Sequence, residues 1–235
     1  MKPFLITDGA KRLVGEYLSP ESLRETLQLL GRDEKHGLLR LWISEGIPFA
    51  FQDLPLLYEA IRGWLATQLS LHPKVITMIG SARIGYSLAP LPDFGRSFQS
   101  TSDLDLTVIA ESLFSQLKTD FQNWKKDITD GIVVPRSSKE ERYWSDTLQR
   151  VPSNISRGFI DPHKIPALYR YSTVQRVRNI QWLLNRKIAL TPGAPQFSHA
   201  SLRVYRDWKS FLDQMELNLH CTLVSFLQAS ARTQH

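Results

Sequence analysis

The sequence feature that most constrains the fold is a change of period near residue 73. Before that point apolar residues recur at helical spacing, and the last such run begins at Pro55 and stops before Pro73. The next segment, residues 74–79 (KVITMI), is short, β-branched and bounded by Pro73 and Gly80, which predicts a strand. A sheet that begins only here is expected to be small and to follow a helical segment.

The rest of the chain alternates between helical and extended patterns. Residues 104–110 (LDLTVIA) predict a second strand, and residues 155–161 and 201–205 predict shorter ones. Amphipathic helices are predicted for residues 111–131, from about residue 140, for residues 172–190 and after residue 205. We therefore expect an α/β (α+β) fold with a small mixed sheet. Its parts are a helical segment (residues 1–72), a sheet-bearing core (73–165) and a mainly helical segment that closes the cleft (166–235).

Composition narrows the class of protein. The 235 residues are 42% hydrophobic, which is enough for a folded core. The single cysteine, Cys221, excludes an internal disulfide and a thiolate cluster for zinc, as expected in a reducing compartment. No window approaches the roughly 18 apolar residues of a membrane span, and the first residues lack the apolar stretch of a secretory signal. We therefore expect a cytoplasmic protein without a membrane partner.

Two carboxylates, Asp103 and Asp105, lie one residue apart at the start of the second predicted strand. Strand side chains alternate between faces, so both should project from the same side, with Leu104 and Leu106 on the other. Carboxylates this close repel each other, and a divalent cation neutralises such a pair. The pair therefore predicts a Mg²⁺ site that would also accept Mn²⁺.

A Gly-Ser pair follows the first predicted strand. Gly80 leaves room for a phosphate chain to approach the backbone, and Ser81 can begin a short helix whose free N–H groups and hydroxyl bind phosphate oxygens. The net charge of +6 is compatible with a phosphate-bearing partner. Together with the carboxylates, this predicts a site for a metal-bound nucleoside triphosphate, although Ser81 can also cap the helix without a ligand.

Residues 79–85 (IGSARIG) and 102–106 (SDLDL) together resemble the signature of the DNA polymerase β-like nucleotidyltransferase superfamily, in particular its minimal bacterial members. The resemblance covers about thirty residues. The two halves are separated by a longer gap than in the smallest members, which makes residues 88–98 a candidate substrate loop.

The resemblance implies transfer of a nucleoside monophosphate from an NTP or dNTP to a hydroxyl, with release of pyrophosphate. It implies that Asp103 and Asp105 hold the metal ions and that a third carboxylate on a later strand assists them. Asp161 is our first choice for that carboxylate and Asp207 the second. Gly80 and Ser81 would bind the nucleotide; Arg83 would contact its phosphates or pair with a surface carboxylate.

The acceptor remains open among a protein, an RNA end, an oligonucleotide and a small molecule. Stand-alone bacterial proteins of this type suggest a role in antiphage defence or a toxin–antitoxin pair, with a partner protein encoded nearby. The alternative is a non-catalytic module of the same fold that senses nucleotides or binds a partner, a reading favoured if no third carboxylate faces the Asp pair. A plain nucleic-acid-binding protein is a third reading, which the Asp pair disfavours.

Two further sets of residues each allow two interpretations. A basic tract forms either a phosphate or acceptor groove or a solvated helix face; it comprises Arg157, Lys164, Arg170, Arg176 and Arg178. Five tryptophans occupy apolar positions of predicted helices, which favours the core over base stacking; they are Trp64, Trp124, Trp144, Trp182 and Trp208.

Overall fold

The computed structural model describes residues 6–232 and contains, within that range, eight α-helices and a four-stranded sheet. The helices are α1 (Pro20–Leu27), α2 (Arg32–Leu38), α3 (Pro55–Leu69), α4 (Ser81–Ile84), α5 (Glu111–Thr129), α6 (Ser138–Ser156), α7 (Ser172–Ala189) and α8 (Trp208–Arg232). The strands are β1 (Ile76–Ile79), β2 (Leu104–Ile109), β3 (Phe159–Ile160) and β4 (Ala200–Tyr205). The expected α+β class with a small mixed sheet is confirmed.

The sheet has the order β1-β2-β4-β3. Strands β1 and β2 are antiparallel, with Ile79 opposite Asp105, and β2 and β4 are parallel, with Asp105 opposite Ser201. Strand β3 pairs antiparallel with the outer side of β4. The sheet is therefore completed by a strand from the segment after residue 165, and β4 separates β3 from β2.

Strand β3 is shorter than the pattern of residues 155–161 predicts. The chain through Ser156 continues helix α6, with Pro152 inside it, and Gly158 then adopts a positive φ of 83°. A side chain at residue 158 would meet the Ser210 hydroxyl, so glycine is needed where the chain turns into the sheet. Only Phe159 and Ile160 then remain to pair with β4.

The two faces of the sheet differ. One face carries aliphatic residues such as Met78, Leu106 and Val204, which are buried against helices α3, α5, α6 and α7. Burying an aliphatic side chain of this size contributes about 1.5–3 kcal/mol, so this face is firmly anchored. The other face mixes polar residues with Ile79, Ile109 and Tyr205, which pack against α1, α2 and α8. The polar residues of this second face are therefore held on a rigid platform.

Several local predictions are confirmed and others are not. Ser19 caps α1 by accepting a hydrogen bond from the Ser22 N–H, as its position before Pro20 predicts. Trp124 and Trp144 are buried, but Trp182 and Trp208 are 60% and 40% exposed, so the prediction that all five tryptophans belong to the core is wrong. Within residues 6–232, no helix combines the length and the apolar character needed to cross a bilayer.

Candidate functional site

A cleft of about 670 Å³ opens over the polar face of the sheet. Its floor is formed by β2 and β4, and its walls by α8 and by the segment between α4 and β2, which contributes Ser87 to Pro90 and Arg96. That segment is tied to α8 by hydrogen bonds from Thr222 to the Leu88 carbonyl and from the Leu91 N–H to Ser225. It therefore lines the cleft without filling it.

Asp105 lies at the centre of the floor. Its Oδ1 accepts a hydrogen bond of 2.8 Å from the Ser201 hydroxyl on the neighbouring strand. Its Oδ2 lies directly over Gly80, where an added Cβ would approach to 2.9 Å. Gly80 also has φ 71° and ψ −158°, a conformation that is essentially restricted to glycine. The glycine that ends β1 is thus required both by its backbone and by the carboxylate above it.

Asp103 precedes β2 and is less confined. Its Oδ1 lies 2.8 Å from His199 Nδ1, and the two side chains are 40% and 56% exposed. His199 precedes β4, and its carbonyl accepts the Leu104 N–H. Both carboxylates that the sequence singles out therefore line one cleft, each with a partner from the start of β4.

Of the predicted phosphate-binding residues, Gly80 and Ser81 line the cleft, with Ser81 as the first residue of α4. Arg83 is absent from the described residues that line it. Its side chain is 2% exposed and donates to the Ile47 carbonyl at 3.1 Å, and burial lowers the pKa of the guanidinium. This position fits neither a phosphate contact nor the partner of a surface carboxylate. The Arg83 side chain instead holds the N-terminal segment against α4.

Asp161, the first-choice third carboxylate, also lines the cleft. It follows β3 and is therefore one strand further from Asp105 than a residue on β4 would be. Arg203 on β4 binds it through two hydrogen bonds, Nε to Oδ1 at 2.6 Å and NH2 to Oδ2 at 3.3 Å. The carboxylate thus has a cationic partner within the protein.

Asp207, the second choice, begins α8. Its Oδ1 accepts the Ser210 N–H at 2.6 Å and its Oδ2 accepts from Arg206. This is the arrangement of an N-cap residue, which satisfies a free N–H of the first helical turn. Asp207 is absent from the described residues that line the cleft. Its hydrogen bonds show that it caps α8.

The structure adds residues that the sequence analysis did not select. Thr107 is fully buried and lines the cleft, and its Oγ1 has no hydrogen-bond partner among the described residues. Arg203 lies opposite Thr107, two residues beyond Ser201 on the same face of β4. The alternation along residues 201–205 indicates that Ser201 and Arg203 share one face of a strand. It places them in the cleft only when β4 is known to lie beside β2.

Among residues 6–232, no three His, Cys, Asp or Glu side chains are grouped so that they could hold a metal ion. The Asp pair and Asp161 are therefore not one cluster in this structure. Comparison of the chain with protein-family models, curated proteins and solved structures returned no match.

Proposed function

We propose that the protein is a metal-dependent nucleotidyltransferase of the DNA polymerase β-like type, which binds a nucleoside triphosphate in the cleft and transfers its nucleoside monophosphate to a hydroxyl. The observation that carries the proposal is the placement of Asp103 and Asp105 beside the Gly80-Ser81 turn in one cleft. These four residues belong to the two segments, residues 79–85 and 102–106, on which the resemblance in sequence rests.

The donor set fits Mg²⁺. This ion prefers oxygen ligands and is commonly bound through one or two carboxylates, with water and substrate phosphates completing its shell. Asp103 and Asp105 would hold it, and the buried Thr107 hydroxyl, which has no hydrogen-bond partner within residues 6–232, offers a further polar group beside them. When bound, the ion would neutralise charge on the phosphates.

The remaining side chains have separate tasks. Ser201 fixes the orientation of the Asp105 carboxylate through its 2.8 Å hydrogen bond, and His199 does the same for Asp103. Gly80 admits the phosphate chain close to the backbone, since any larger residue would meet Asp105. Arg96 and Arg203 line the same cleft, each paired with a carboxylate, Asp93 and Asp161, so they would offer a polyphosphate hydrogen-bond donors more than net positive charge.

A second candidate is a nucleotide-binding module without catalytic activity. The observation that favours it is the double hydrogen bond between Arg203 and Asp161, which occupies the carboxylate that the resemblance assigns to the metal. Both candidates require metal-dependent nucleotide binding, and only the first requires turnover. The two are therefore separated by measuring binding and transfer in parallel.

The test uses the whole protein with each α-labelled NTP and dNTP, with Mg²⁺, Mn²⁺ or EDTA. Binding is followed by isothermal titration calorimetry, and transfer by gel and chromatography with co-purified nucleic acid retained. The Asp103→Asn/Asp105→Asn variant removes the charge with little change in shape, and Asp130→Asn/Asp213→Asn is a control for the loss of two negative charges away from the cleft.

A labelled product that requires metal and disappears only in the Asp103→Asn/Asp105→Asn variant is the expected result. Metal-dependent binding without any product, even with the acceptors offered below, would favour the non-catalytic module. If the Asp103→Asn/Asp105→Asn variant binds nucleotide as tightly as the wild type, both candidates fail.

A further inference from the structure

The positive charge of the chain is unevenly distributed. Residues 162–206 contain eight of the 29 basic residues and none of the 23 acidic ones. The other 190 residues therefore hold 21 basic and 23 acidic side chains, a slight negative excess, so the net charge of +6 originates in this one segment. Three of the eight pair with carboxylates outside the segment, Arg170 with Asp127, Arg203 with Asp161 and Arg206 with Asp207, so the excess is carried by Lys164, Arg176, Arg178, Arg186 and Lys187. A concentration of one sign of charge indicates an anionic partner more specifically than overall basicity does.

Helix α7 presents part of this charge to solvent together with an aromatic ring. Arg186 and Lys187 are exposed, and Trp182, one turn earlier, is 60% exposed. The Arg186 guanidinium lies 5.4 Å from the centre of the Trp182 ring. The guanidinium and the ring attract each other weakly, and the exposed ring offers a flat face for stacking.

A groove of about 750 Å³ runs beside this face of α7. It is lined by Trp182, Arg186, Leu190, Phe197 and Ser198, and no acidic residue contributes to it among the described residues. The groove is rigid at its inner edge because Asn185 and Gln181 on α7 hydrogen-bond to the backbone of Ala200 at the start of β4.

The groove and the cleft are bordered by the same two backbone segments, residues 100–103 and 198–199. Ser198 lines the groove, and the next residue, His199, lines the cleft and contacts Asp103. On the facing loop Ser100 lines the groove and Ser102 the cleft, and the Ser198 N–H donates to the Ser102 carbonyl at 2.8 Å. A chain molecule in the groove would therefore reach the Asp pair by passing over these two segments, at the edge of the sheet where β2 and β4 begin.

We propose that this groove, defined by Trp182, Arg186, Leu190, Phe197 and Ser198, binds single-stranded nucleic acid, with a base stacked on Trp182 and backbone phosphates against Arg186, which lines the groove, and against Lys187, the next residue of α7, which is exposed outside the lining. Single strands are recognised by this combination of basic side chains and aromatic platforms, because every base has a π-face and every nucleotide a phosphate. Acidic peptides and anionic lipids match the charge but offer no comparable planar group for Trp182. That the strand is also the acceptor of the transferred nucleotide rests on the proposed function.

Binding is tested without metal or nucleotide, so that the result does not depend on the proposed function. Fluorescence anisotropy of labelled 12-nucleotide RNA and DNA is measured in EDTA across a salt series, with a duplex of the same sequence and phosphatidylserine vesicles for comparison. The variants are Trp182→Ala and Arg186→Gln/Lys187→Gln. Their controls are Trp208→Ala, a second partly exposed tryptophan, and Lys125→Gln/Lys126→Gln, an exposed basic pair on α5.

We expect the single strand to bind more tightly than the duplex, and Trp182→Ala to weaken it by about five-fold or more. The Arg186→Gln/Lys187→Gln variant removes two positive charges and should reduce the slope of log affinity against log salt by about 1.4, at about 0.7 per phosphate contact of a single strand. Both controls should match the wild type. Equal binding by Trp182→Ala and wild type, tighter binding to the duplex, or binding to vesicles alone would overturn the proposal.

The failure of either proposal can be recognised separately. Loss of metal-dependent nucleotide binding in the Asp103→Asn/Asp105→Asn variant, with wild-type binding of the single strand, supports both proposals. Nucleotide binding that persists when no protein form binds the strand would overturn the groove proposal alone.

Discussion

Arg203 and Asp161 form a two-point ion pair across β4 and the end of β3, with Nε 2.6 Å from Oδ1. The Asp161 side chain is 8% exposed and that of Arg203 33%. Burial by itself would lower the pKa of Arg203, but the neighbouring Asp161 carboxylate outweighs burial, and the pKa is raised. The guanidinium therefore stays charged, and the pair adds stability only while both members are present.

The first prediction concerns this pair. Arg203→Gln should lower the free energy of unfolding by roughly 2 kcal/mol, because it leaves a buried carboxylate unpaired while the partly exposed arginine limits the loss. The double variant Arg203→Met/Asp161→Leu should cost less than the two single changes combined, by about 1 kcal/mol or more. Urea denaturation of the wild type, Arg203→Met, Asp161→Leu and the double variant measures this coupling. A cycle on the exposed pair Arg150–Asp146 should give less than about 1 kcal/mol; a coupling no larger at Arg203 and Asp161 would contradict the prediction.

Thr107 gives a prediction in which stability and binding change in opposite directions. Its buried hydroxyl has no partner among the described residues, so Thr107→Val should leave stability unchanged or raise it by about 1 kcal/mol. The same change should weaken nucleotide binding, since it removes a polar group from the floor of the cleft.

The matched control is Thr147→Val. Its buried hydroxyl donates to one of two carbonyls within reach, of Tyr143 and Lys164, so this change should cost about 1–2 kcal/mol and leave nucleotide binding intact. Thermal denaturation and calorimetric titration with Mg²⁺ and NTP measure both properties. Unaltered affinity in Thr107→Val would show that the hydroxyl does not contact the nucleotide.

Gly80→Ala should be costly for two reasons. The backbone conformation there is essentially limited to glycine, which costs about 1–3 kcal/mol for another residue, and the new Cβ would press against Asp105 Oδ2. We expect a lower denaturation midpoint together with weaker metal-dependent nucleotide binding. Gly63→Ala, inside α3 and with open space around it, should instead raise stability by about 0.5–1 kcal/mol. If Gly80→Ala and Gly63→Ala changed the stability by similar amounts, backbone conformation and crowding by Asp105 would not be the reason that glycine is needed at residue 80.

Asp207 predicts a specific response to acid. Partial burial raises its pKa, but hydrogen bonds from Arg206 and Ser210 outweigh burial and lower it from 3.8 to about 2. Since the folded-state pKa lies below the unfolded one, the contribution of the charge is complete above about pH 4 and is lost as the pH falls toward 2. Asp207→Asn keeps a capping side chain, so the difference in urea midpoint from wild type should be constant above pH 4 and shrink below it. An equal difference throughout would mean that the Asp207 charge does not stabilise the fold.

Patterns between neighbouring residues were sufficient for much of the fold. The change from helical to extended period placed β1 and β2 within a residue or two, and Ser19 followed by Pro20 identified the start of α1. The Gly80-Ser81 turn and the Asp pair were selected from the sequence, and both line the cleft. Such features depend on alternation, helical spacing and backbone conformation. Because these act over only a few residues, they can be recognised in a single sequence.

The choice of partners across the sheet was decided only by the tertiary structure. Because β4, and not β3, pairs with β2, Asp105 faces Ser201, and Asp161 faces Arg203 one strand away. The burial of Arg83 and the exposure of Trp182 likewise depend on which helix covers which surface. Local periodicity indicates which residues share a face, but strand order and helix packing arise from contacts between distant segments: Asp105 and Ser201 are 96 residues apart, and His36 and Glu216 are 180 apart. By itself the sequence determined the elements and the identity of the two central carboxylates; the packing of β4 between β2 and β3 determined their neighbours.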